Sequence, residues 1–351
     1  MTKVSVKQYH LNAINRPIYI YTLSNQNGIE IKLTNLGGTL LSVRTPDKNG
    51  QLDDIILGYE DVSQYMNNPH YFGSTIGRFS NRIANATFKL EGKSFQLEKN
   101  HPPHHLHGGN YGFDQKIWKS KILNDDINGV ELTLLSYDNE GGYPGNLAVK
   151  ITFGLTNDNQ FIIQYYAEVD KLTPVSLTNH SYFNLGGINS NNIFDHYLQI
   201  NSDDYLEIDQ TGLPSGAILS NHNSPFDFRS PRQIGPIHPK IHPQLKIANG
   251  FDHNFVLNKS SNRMSRAATL FHPSSGRKVE LSTTEPGLQL YSGNGLVDIK
   301  GKSNQQYQMH AGLCLEPQQF PNSPNQLNFP SPFIHPEEPY QHTTSYSFGL
   351  M

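Results

Sequence analysis

Ionisable and polar side chains cluster where the chain also carries glycine or aromatic residues, away from regular strand positions. The stretches are "GRFSNRIANATF", "HPPHHLHGGNYGFD", "LTNHSYFNLGG" and "GLCLEPQQFPNS", with two shorter ones, "GFDHNF" and "PGLQLYSGN". The residues they contribute are Arg78, Asn81, Arg82, His101, His104, His105, His107, His180, Asp252, Gln289 and Glu316. Taken singly, each is equally well explained as an ion-pair partner, a turn residue or an exposed strand residue. Only the combination predicts a function.

That combination indicates proton transfer on a substrate rich in hydroxyl groups. Histidine titrates near neutral pH, and a histidine paired with a carboxylate such as Glu316 can exchange protons at physiological pH. Arginine, asparagine, aspartate and glutamine side chains suit hydrogen bonding to a ring of hydroxyls. No second, clearly placed carboxylate accompanies Glu316, which disfavours ordinary glycoside hydrolysis. The inventory predicts a polyol or carbohydrate substrate.

The same histidines offer a second interpretation, a metal centre. In "HHLH", His105 and His107 are two residues apart and would share one face of a strand. With His180 and Glu316 they would form a cupin-like ligand set. No further short-spaced ligand motif appears, and a cysteine pair is not available. We therefore prefer the acid–base interpretation and expect no metal, although the residues alone leave both open.

Glu316 stands between an apolar run and Pro317. Proline cannot donate to a β ladder and holds the preceding residue in an extended conformation, so we expect the strand to end at Glu316. Partial burial there is expected to raise the pKa of this carboxyl. Cys314 lies in the same apolar run and is predicted to be a buried small hydrophobe, or to line the pocket floor if it shares a strand face with Glu316.

Short β-rich runs joined by turn residues dominate the rest of the chain. "IYIYTLSNQNGIEIKLTN" carries the hairpin signal Asn27-Gly28, and its second arm alternates apolar and polar residues from Ile29. Two similar hairpins are predicted at "LAVKITFGLTNDNQFIIQYYAEV" and "ATLFHPSSGRKVELST". Helical evidence is confined to "DVSQYMNN", which predicts one or two turns.

These patterns predict an all-β protein: one large antiparallel β-sandwich over residues 1–351, with few short helices and long functional loops at one edge. The 29 glycines and 22 prolines are typical of many turns. A glycine-rich nucleotide-binding motif and a βα alternation are both missing, which disfavours a nucleotide-binding α/β fold.

Composition narrows the function classes. A formal net charge of −3 gives no electrostatic case for nucleic acid or an anionic membrane as partner. One cysteine excludes an intrachain disulfide framework and suits a reducing compartment. No stretch resembles a signal peptide or a membrane span. We expect a cytoplasmic monomer or homodimer acting on a small molecule.

Taken together, the motifs resemble the aldose 1-epimerase, or galactose mutarotase, family. The matching stretches follow the family's order from about residue 35 to the C-terminus. They are "PDKNGQLDDIILGYE", "YFGSTIGRFSNRIANATF", "LHGGNYGFDQKIW", "GGYPGNL", "TNHSYFNLGG", "LPSGAI", "PFDFR", "GFDHNF", "TTEPGLQLYSGN" and "GLCLEPQQFPNS".

The resemblance implies a galactose mutarotase-type sandwich without a cofactor, which interconverts the α and β anomers of free aldohexoses such as galactose and glucose. By motif it assigns Glu316 as the base, His180 as the acid and His107 as a second active-site histidine. The sugar-binding positions it implies are Asn81, Arg82, Asp252 and Gln289. Phe79-Ser80 replaces the more usual Tyr-Ala, and His104 and His105 are extra histidines before the shared "LHGG".

Two other functions stay open. A hexose-6-phosphate mutarotase would need a basic cluster for the phosphate, for which Arg78 and Arg82 alone are weak support. A non-catalytic sugar-binding module is disfavoured because both Glu316 and His180 are present.

Overall fold

The computed structural model describes residues 2–10, 16–124, 128–259, 261 and 263–351. Antiparallel sheets dominate this part of the chain, which confirms the all-β prediction. The largest sheet has nine strands. Their order is Lys119–Asn124, Asn128–Ser136, Leu147–Leu155, Gln160–Val169, Tyr340–Leu350, Arg277–Thr283, Ser265–Phe271, Tyr197–Ile200 and Arg232–Gln233.

A six-stranded sheet faces it and carries Asp252, Gln289 and Glu316. Its order is Tyr182–Phe183, Leu313–Gln318, Gly287–Tyr291, Asp252–Leu257, Ser202–Ile208 and Pro214–Ser220. A five-stranded sheet is formed by consecutive strands. These are Lys3–Tyr9, Ile18–Ser24, Glu30–Thr34, Thr39–Pro46 and Leu52–Asp54.

Five strand pairs form small two-stranded sheets. They are Arg82–Ile83 with His105–Leu106, Thr75–Ile76 with Thr178–Asn179, Thr173–Pro174 with Phe333–Ile334, Thr87–Leu90 with Lys93–Gln96, and Ile299–Lys300 with Gln306–Tyr307. The first pair joins the segment of Arg82 to that of His107, and the second joins the segment before Arg78 to that of His180.

One hydrophobic core joins the three large sheets. It takes residues from the five-stranded sheet (Ile31), the nine-stranded sheet (Leu132, Ile163) and the six-stranded sheet (Leu290, Leu315), all fully or almost fully buried. Burying such a side chain contributes about 1.5–3 kcal/mol. The apolar face of the six-stranded sheet is thereby committed to the core, which leaves its other face for polar residues.

The three predicted hairpins are confirmed. Ile18–Ser24 pairs with Glu30–Thr34, and in the second arm Ile31 and Leu33 are buried while Lys32 is half-buried. The other two hairpins form between neighbouring strands of the nine-stranded sheet, and the predicted stretches contain their turn residues, "NDNQ" and "PSSG".

Helical structure is sparse in the described part of the chain. "DVSQYMNN" forms the short 3₁₀ helix Val62–Met66, where Asp61 and Gln64 make a capping box. The α-helix Pro243–Ala248 was not predicted, because six residues are too few to show a helical period. Further 3₁₀ turns are Ala84–Ala86, Phe113–Gln115, Glu140–Gly142, Pro239–Ile241, Lys302–Asn304 and Ser323–Asn325.

The expectation that a strand ends at Glu316 is wrong. The strand Leu313–Gln318 continues through Pro317, which pairs in register with Leu288. The short neighbour on the other side, Tyr182–Phe183, pairs only with Leu313 and Cys314. Pro317 thus lies beyond the end of that ladder, a position in a sheet where proline is tolerated.

Among the described residues, helices are too short and too polar to reach across a lipid bilayer.

Candidate active site

Three neighbouring strands of the six-stranded sheet place the candidate residues in rows on one face. Asn254, Gln289 and Glu316 are paired across the strands, so their side chains lie side by side. Two residues along each strand, the next row contains Asp252, Tyr291 and Cys314. Because side chains alternate between the faces of a strand, both rows lie opposite the leucines that fill the core.

Glu316 is almost completely buried on this polar face, with 2% of its surface exposed. One carboxylate oxygen, Oε1, lies 3.8 Å from Nε2 of His180, and Oε2 has no hydrogen-bond partner among the described residues. Burial raises the pKa of Glu316 well above its ordinary value, the negative charge of Asp252 adds to the rise, and Arg82 opposes it. The direction matches the prediction, and the burial is nearly complete instead of partial.

His180 lies between the short strands Thr178–Asn179 and Tyr182–Phe183. Its backbone N–H donates to the carbonyl of Ser74 at 2.9 Å, and its carbonyl accepts from the N–H of Gly73 at 3.0 Å. On the ring, Nδ1 lies 3.5 Å from Sγ of Cys314. Burial lowers the pKa of His180 to about 4.

Cys314 is a buried small hydrophobe, as predicted. Its side chain is fully buried within an apolar cluster that includes Tyr182, it shares a strand face with Glu316, and its Sγ contacts the ring of His180. Burial raises the pKa of this thiol well above its ordinary value, so the sulfur keeps its proton at neutral pH.

His107 approaches His180 from the loop segment that precedes Gly108. Its ring centre lies 5.4 Å from that of His180, at an edge-to-face angle. The backbone N–H of Asn81 donates to Nδ1 of His107 at 3.1 Å. Burial lowers the pKa of His107 well below its ordinary value, so the ring is neutral. Since Nδ1 accepts, the proton of the neutral ring is on Nε2, which can donate to a ligand.

Arg82, Asp252 and Gln289 form a chain of contacts beside Glu316. Nη1 of Arg82 lies 3.5 Å from Oδ2 of Asp252, and Nε2 of Gln289 donates to Oδ1 at 2.6 Å. The structure therefore brings a second carboxylate close to Glu316, but this one is held by a guanidinium and an amide. Nε of Arg82 and Oε1 of Gln289 have no partner among the described residues.

Comparison with known proteins identifies the family of this chain. A family model described as "Aldose 1-epimerase" matches residues 19–347. The galactose mutarotase of Homo sapiens is 41% identical over 323 residues, which are 92% of each chain. The aldose 1-epimerase of Escherichia coli K12 is 36% identical over 335 residues, 95% of this chain and 96% of that one.

This chain belongs to the aldose 1-epimerase family. A solved structure of galactose 1-epimerase from Lactobacillus acidophilus agrees, with a TM-score of 0.86 and 31% identity over 100% of this chain and 99% of the other. The homologue from C. elegans gives a TM-score of 0.84 at 30% identity over 93% of this chain and 98% of that one. The chain is therefore an epimerase with the galactose mutarotase-type fold and mutarotase activity.

Other candidate residues of the epimerase lie outside this cluster. The guanidinium of Arg78 is buried against backbone carbonyls, among them those of Ser136, Pro144 and Gly145. His105 uses both ring nitrogens elsewhere, toward the carbonyl of Glu98 at 2.8 Å and the hydroxyl of Tyr143 at 2.7 Å. Arg78 and His105 are thus structural residues.

The cupin-like ligand set is not assembled, because His105 is turned away from the site. The group that does converge is His180, Cys314 and Glu316, whose potential ligand atoms lie within 4.8 Å of one another. A thiol ligand must be deprotonated, and burial opposes that at Cys314. This chemistry fits a metal poorly.

His104 supports the site from behind. Its Nδ1 accepts from the backbone N–H of Asn85 at 3.1 Å, and its Nε2 lies 2.8 Å from the hydroxyl of Thr211. The neighbouring Gly212 packs on the guanidinium of Arg82, where a β-carbon would come within 3.3 Å of Cζ. His104 therefore holds the loop that backs Arg82.

Tyr71 is a further residue at the site, and no sequence pattern singled it out. Its ring centre lies 4.7 Å from that of His107 and 5.8 Å from that of His180, so this half-buried ring sits against both histidines. Burial raises its pKa to about 12, so the hydroxyl stays protonated. Tyr71 begins the matched "YFGSTIGRFSNR" stretch, but an aromatic residue there is equally expected of a core.

Proposed function

We propose that Glu316 and His180 are the base and the acid that open and close the ring of free aldohexoses such as galactose and glucose. Glu316 takes the proton of the anomeric hydroxyl while His180 gives a proton to the ring oxygen. The bond between the anomeric carbon and the ring oxygen breaks, and an open-chain aldehyde forms. Rotation of the aldehyde and closure on its other face reverse both proton transfers, so the pair is restored.

The single observation that carries this proposal is the placement of Glu316 beside His180. Nε2 of His180 and Oε1 of Glu316 are 3.8 Å apart, beyond the range of a direct hydrogen bond, and the other carboxylate oxygen has no partner among the described residues. Two oxygens attached to one carbon, the anomeric hydroxyl and the ring oxygen, are close enough together to engage both groups.

The opposite pKa shifts of Glu316 and His180 suit this reaction. When the pair holds one titratable proton, that proton is either on His180, which leaves Glu316 ionised, or on Glu316, which leaves both side chains neutral. These two forms carry the same number of protons and are the states before and after ring opening. With ordinary pKa values of 4.5 and 6.5 the one-proton state would be lost near neutrality. Burial raises the pKa of Glu316 and lowers that of His180, so the one-proton state covers a wider pH range on both sides.

The remaining predicted residues are proposed to bind the sugar. Nε of Arg82 offers a donor, Oε1 of Gln289 offers an acceptor, and Asp252 holds both side chains in place. Nε2–H of His107 offers a further donor, and Asn81 fixes that ring through its backbone N–H. Hydroxyl groups can satisfy donors and acceptors alike, which makes a polyhydroxylated ring a fitting ligand.

A free sugar is the preferred substrate over a sugar 6-phosphate. Phosphate recognition needs an uncommitted basic cluster. Arg82 is already paired with Asp252, and Arg78 is occupied by backbone carbonyls. Galactose should therefore compete for the site better than galactose 6-phosphate does.

We further propose that the enzyme is one domain over residues 1–351, works in the cytoplasm within galactose metabolism, needs no cofactor and is a monomer or homodimer. Strands from residues 119 to 350 build one sheet, which supports a single domain. The one cysteine, Cys314, is a buried free thiol, as suits a reducing compartment.

Polarimetry of freshly dissolved α-D-galactose tests the catalytic assignment. The enzyme should speed the approach to anomeric equilibrium, and Glu316→Gln should lower the rate by about 10²–10⁴-fold, because the amide cannot accept the proton. Glu337→Gln, at an exposed position, is the matched control and should behave as wild type. A folded Glu316→Gln variant with a wild-type rate would show that Glu316 is not the base.

A further inference from the structure

Glu285 is a buried carboxylate that the proposed chemistry does not use. It lies in the turn between the strands Arg277–Thr283 and Gly287–Tyr291, and 3% of its surface is exposed. Two side chains donate to it at 2.6 Å, the hydroxyl of Tyr340 to Oε1 and the amide of Gln319 to Oε2. Both oxygens are therefore engaged.

Each of these bonds leads to a segment that carries a proposed catalytic residue. Gln319 follows directly on the strand that holds Glu316. The hydroxyl of Tyr340 also accepts the backbone N–H of Leu177 at 3.2 Å, and Leu177 begins the segment that ends in His180. Glu285 itself lies two residues before the first residue of the strand that holds Gln289.

The network continues to the arginine loop. The backbone N–H of Gln319 donates to the hydroxyl of Ser176 at 3.1 Å. The hydroxyls of Ser176 and Ser80 are 2.5 Å apart, and the N–H of Ser80 donates to the carbonyl of Ser176 at 2.9 Å. Ser80 directly precedes Asn81 and Arg82.

We propose that Glu285 is a positioning residue of the epimerase, which sets the separation between Glu316 and His180 by joining the segments that carry them. The inference rests on the proposed roles of Glu316 and His180. A buried side chain held by two short hydrogen bonds has little freedom, and small displacements of catalytic groups cost large factors in rate.

The surroundings of Glu285 contain few charges that could replace this network. Nζ of Lys259 donates to the backbone carbonyl of Glu285 at 3.1 Å, not to its carboxylate. Nδ1 of His342 lies 3.9 Å from Oε1, but burial lowers its pKa to about 3, so it is neutral. Tyr165 stacks on His342. Burial raises the pKa of Glu285 itself to about 7, with the bond from Tyr340 and the charge of Lys259 opposing the rise.

Three variants test this role one link at a time. Glu285→Leu removes both links, Tyr340→Phe removes the link toward His180, and Gln319→Leu removes the link toward Glu316. We expect kcat to fall at least tenfold in Glu285→Leu and about threefold to tenfold in each single-link variant, with KM changed less than twofold. The limbs of the pH profile of kcat should also move, because the spacing of the proton-transfer pair changes.

Glu285→Gln should recover most of the loss. Its amide oxygen can accept from Tyr340, and its amide nitrogen can donate to Oε1 of Gln319, an atom without a partner among the described residues. Tyr166→Phe, on the exposed face of the nine-stranded sheet, is the control for losing a tyrosine hydroxyl. Circular dichroism identifies any variant that fails to fold; the two single-link variants then carry the test.

Wild-type kcat and pH profile in folded Tyr340→Phe and Gln319→Leu would overturn the proposal. Measuring Glu316→Gln alongside distinguishes a failure of the positioning role of Glu285 from a failure of the proposed catalytic pair. If that variant is inactive while the single-link variants are normal, only the positioning role of Glu285 fails. If Glu316→Gln is itself fully active, the proposed catalytic pair fails.

Discussion

Oε1 of Glu316 lies 3.8 Å from Nε2 of His180, with both side chains buried. Among the described residues, Oε2 of Glu316 has no hydrogen-bond partner, and Nδ1 of His180 contacts the thiol of Cys314. Both groups are therefore free to bind a substrate. This arrangement supports the proposal that the two groups exchange protons through a bound sugar.

Replacing His180 by asparagine should lower kcat by about 10²–10⁴-fold, because the amide cannot deliver a proton to the ring oxygen. The rate of α-D-galactose equilibration, followed by polarimetry, measures this. His222→Asn, at an exposed position, serves as the control. A folded His180→Asn variant with an undiminished rate would remove His180 from the mechanism.

The pH profile of kcat/KM should be a broad bell. Below pH about 4 His180 binds a second proton while Glu316 is already protonated, so no base remains. As pH rises through the raised pKa of Glu316 the shared proton is lost, and no acid remains. The rate should therefore be flat between these two limbs, over a wider range than the ordinary pKa values would give. An acid limb near 6.5, where an ordinary histidine titrates, would contradict the effect of burial.

Gln289→Met should raise KM by about tenfold with a smaller effect on kcat, since losing a buried hydrogen bond costs on the order of 1–1.5 kcal/mol. The variant removes both the unpartnered Oε1 and the bond to Asp252. Initial rates over a range of galactose concentrations separate KM from kcat. Gln341→Met, on an exposed strand position, should leave both constants unchanged; an unchanged KM in Gln289→Met would place that residue outside the sugar site.

Gly108→Ala should destabilise the fold and displace His107. Gly108 has φ +88°, and a β-carbon there would lie 1.9 Å from the carbonyl oxygen of Gly77. Gly92 has a similar φ of +77° with nothing within 4 Å, so Gly92→Ala reports backbone strain alone. We expect Gly92→Ala to cost about 1 kcal/mol and Gly108→Ala about 1–3 kcal/mol more.

Urea unfolding of both glycine variants gives the comparison, and polarimetry adds the catalytic consequence. If both variants lose the same free energy of unfolding, the segment that holds His107 can shift away from the added methyl group without destabilising the fold, which would contradict the prediction.

Local patterns predicted much of this structure. Alternating residues and turn dipeptides gave the hairpins, since both signals act over a few residues. The placement of Asp252, Gln289 and Glu316 on one face of three neighbouring strands was implied only by family motifs, because register between distant strands leaves no local signal. The strand was wrongly expected to end before Pro317. Whether a strand can continue through a proline depends on whether a neighbouring strand needs its backbone N–H, and the sequence does not show how far that neighbour extends. His104 and His105 were ambiguous until their partners, Thr211 and Tyr143, were placed.

The site draws His107 from the first third of the chain, His180 from the middle and Glu316 from the last. Closing such distant segments is slow, because loop entropy is lost before the contacts that reward it can form. Refolding enzyme should therefore regain its spectroscopic signature of strands before it regains turnover. Catalysis is then a reporter for the final long-range closure of the chain.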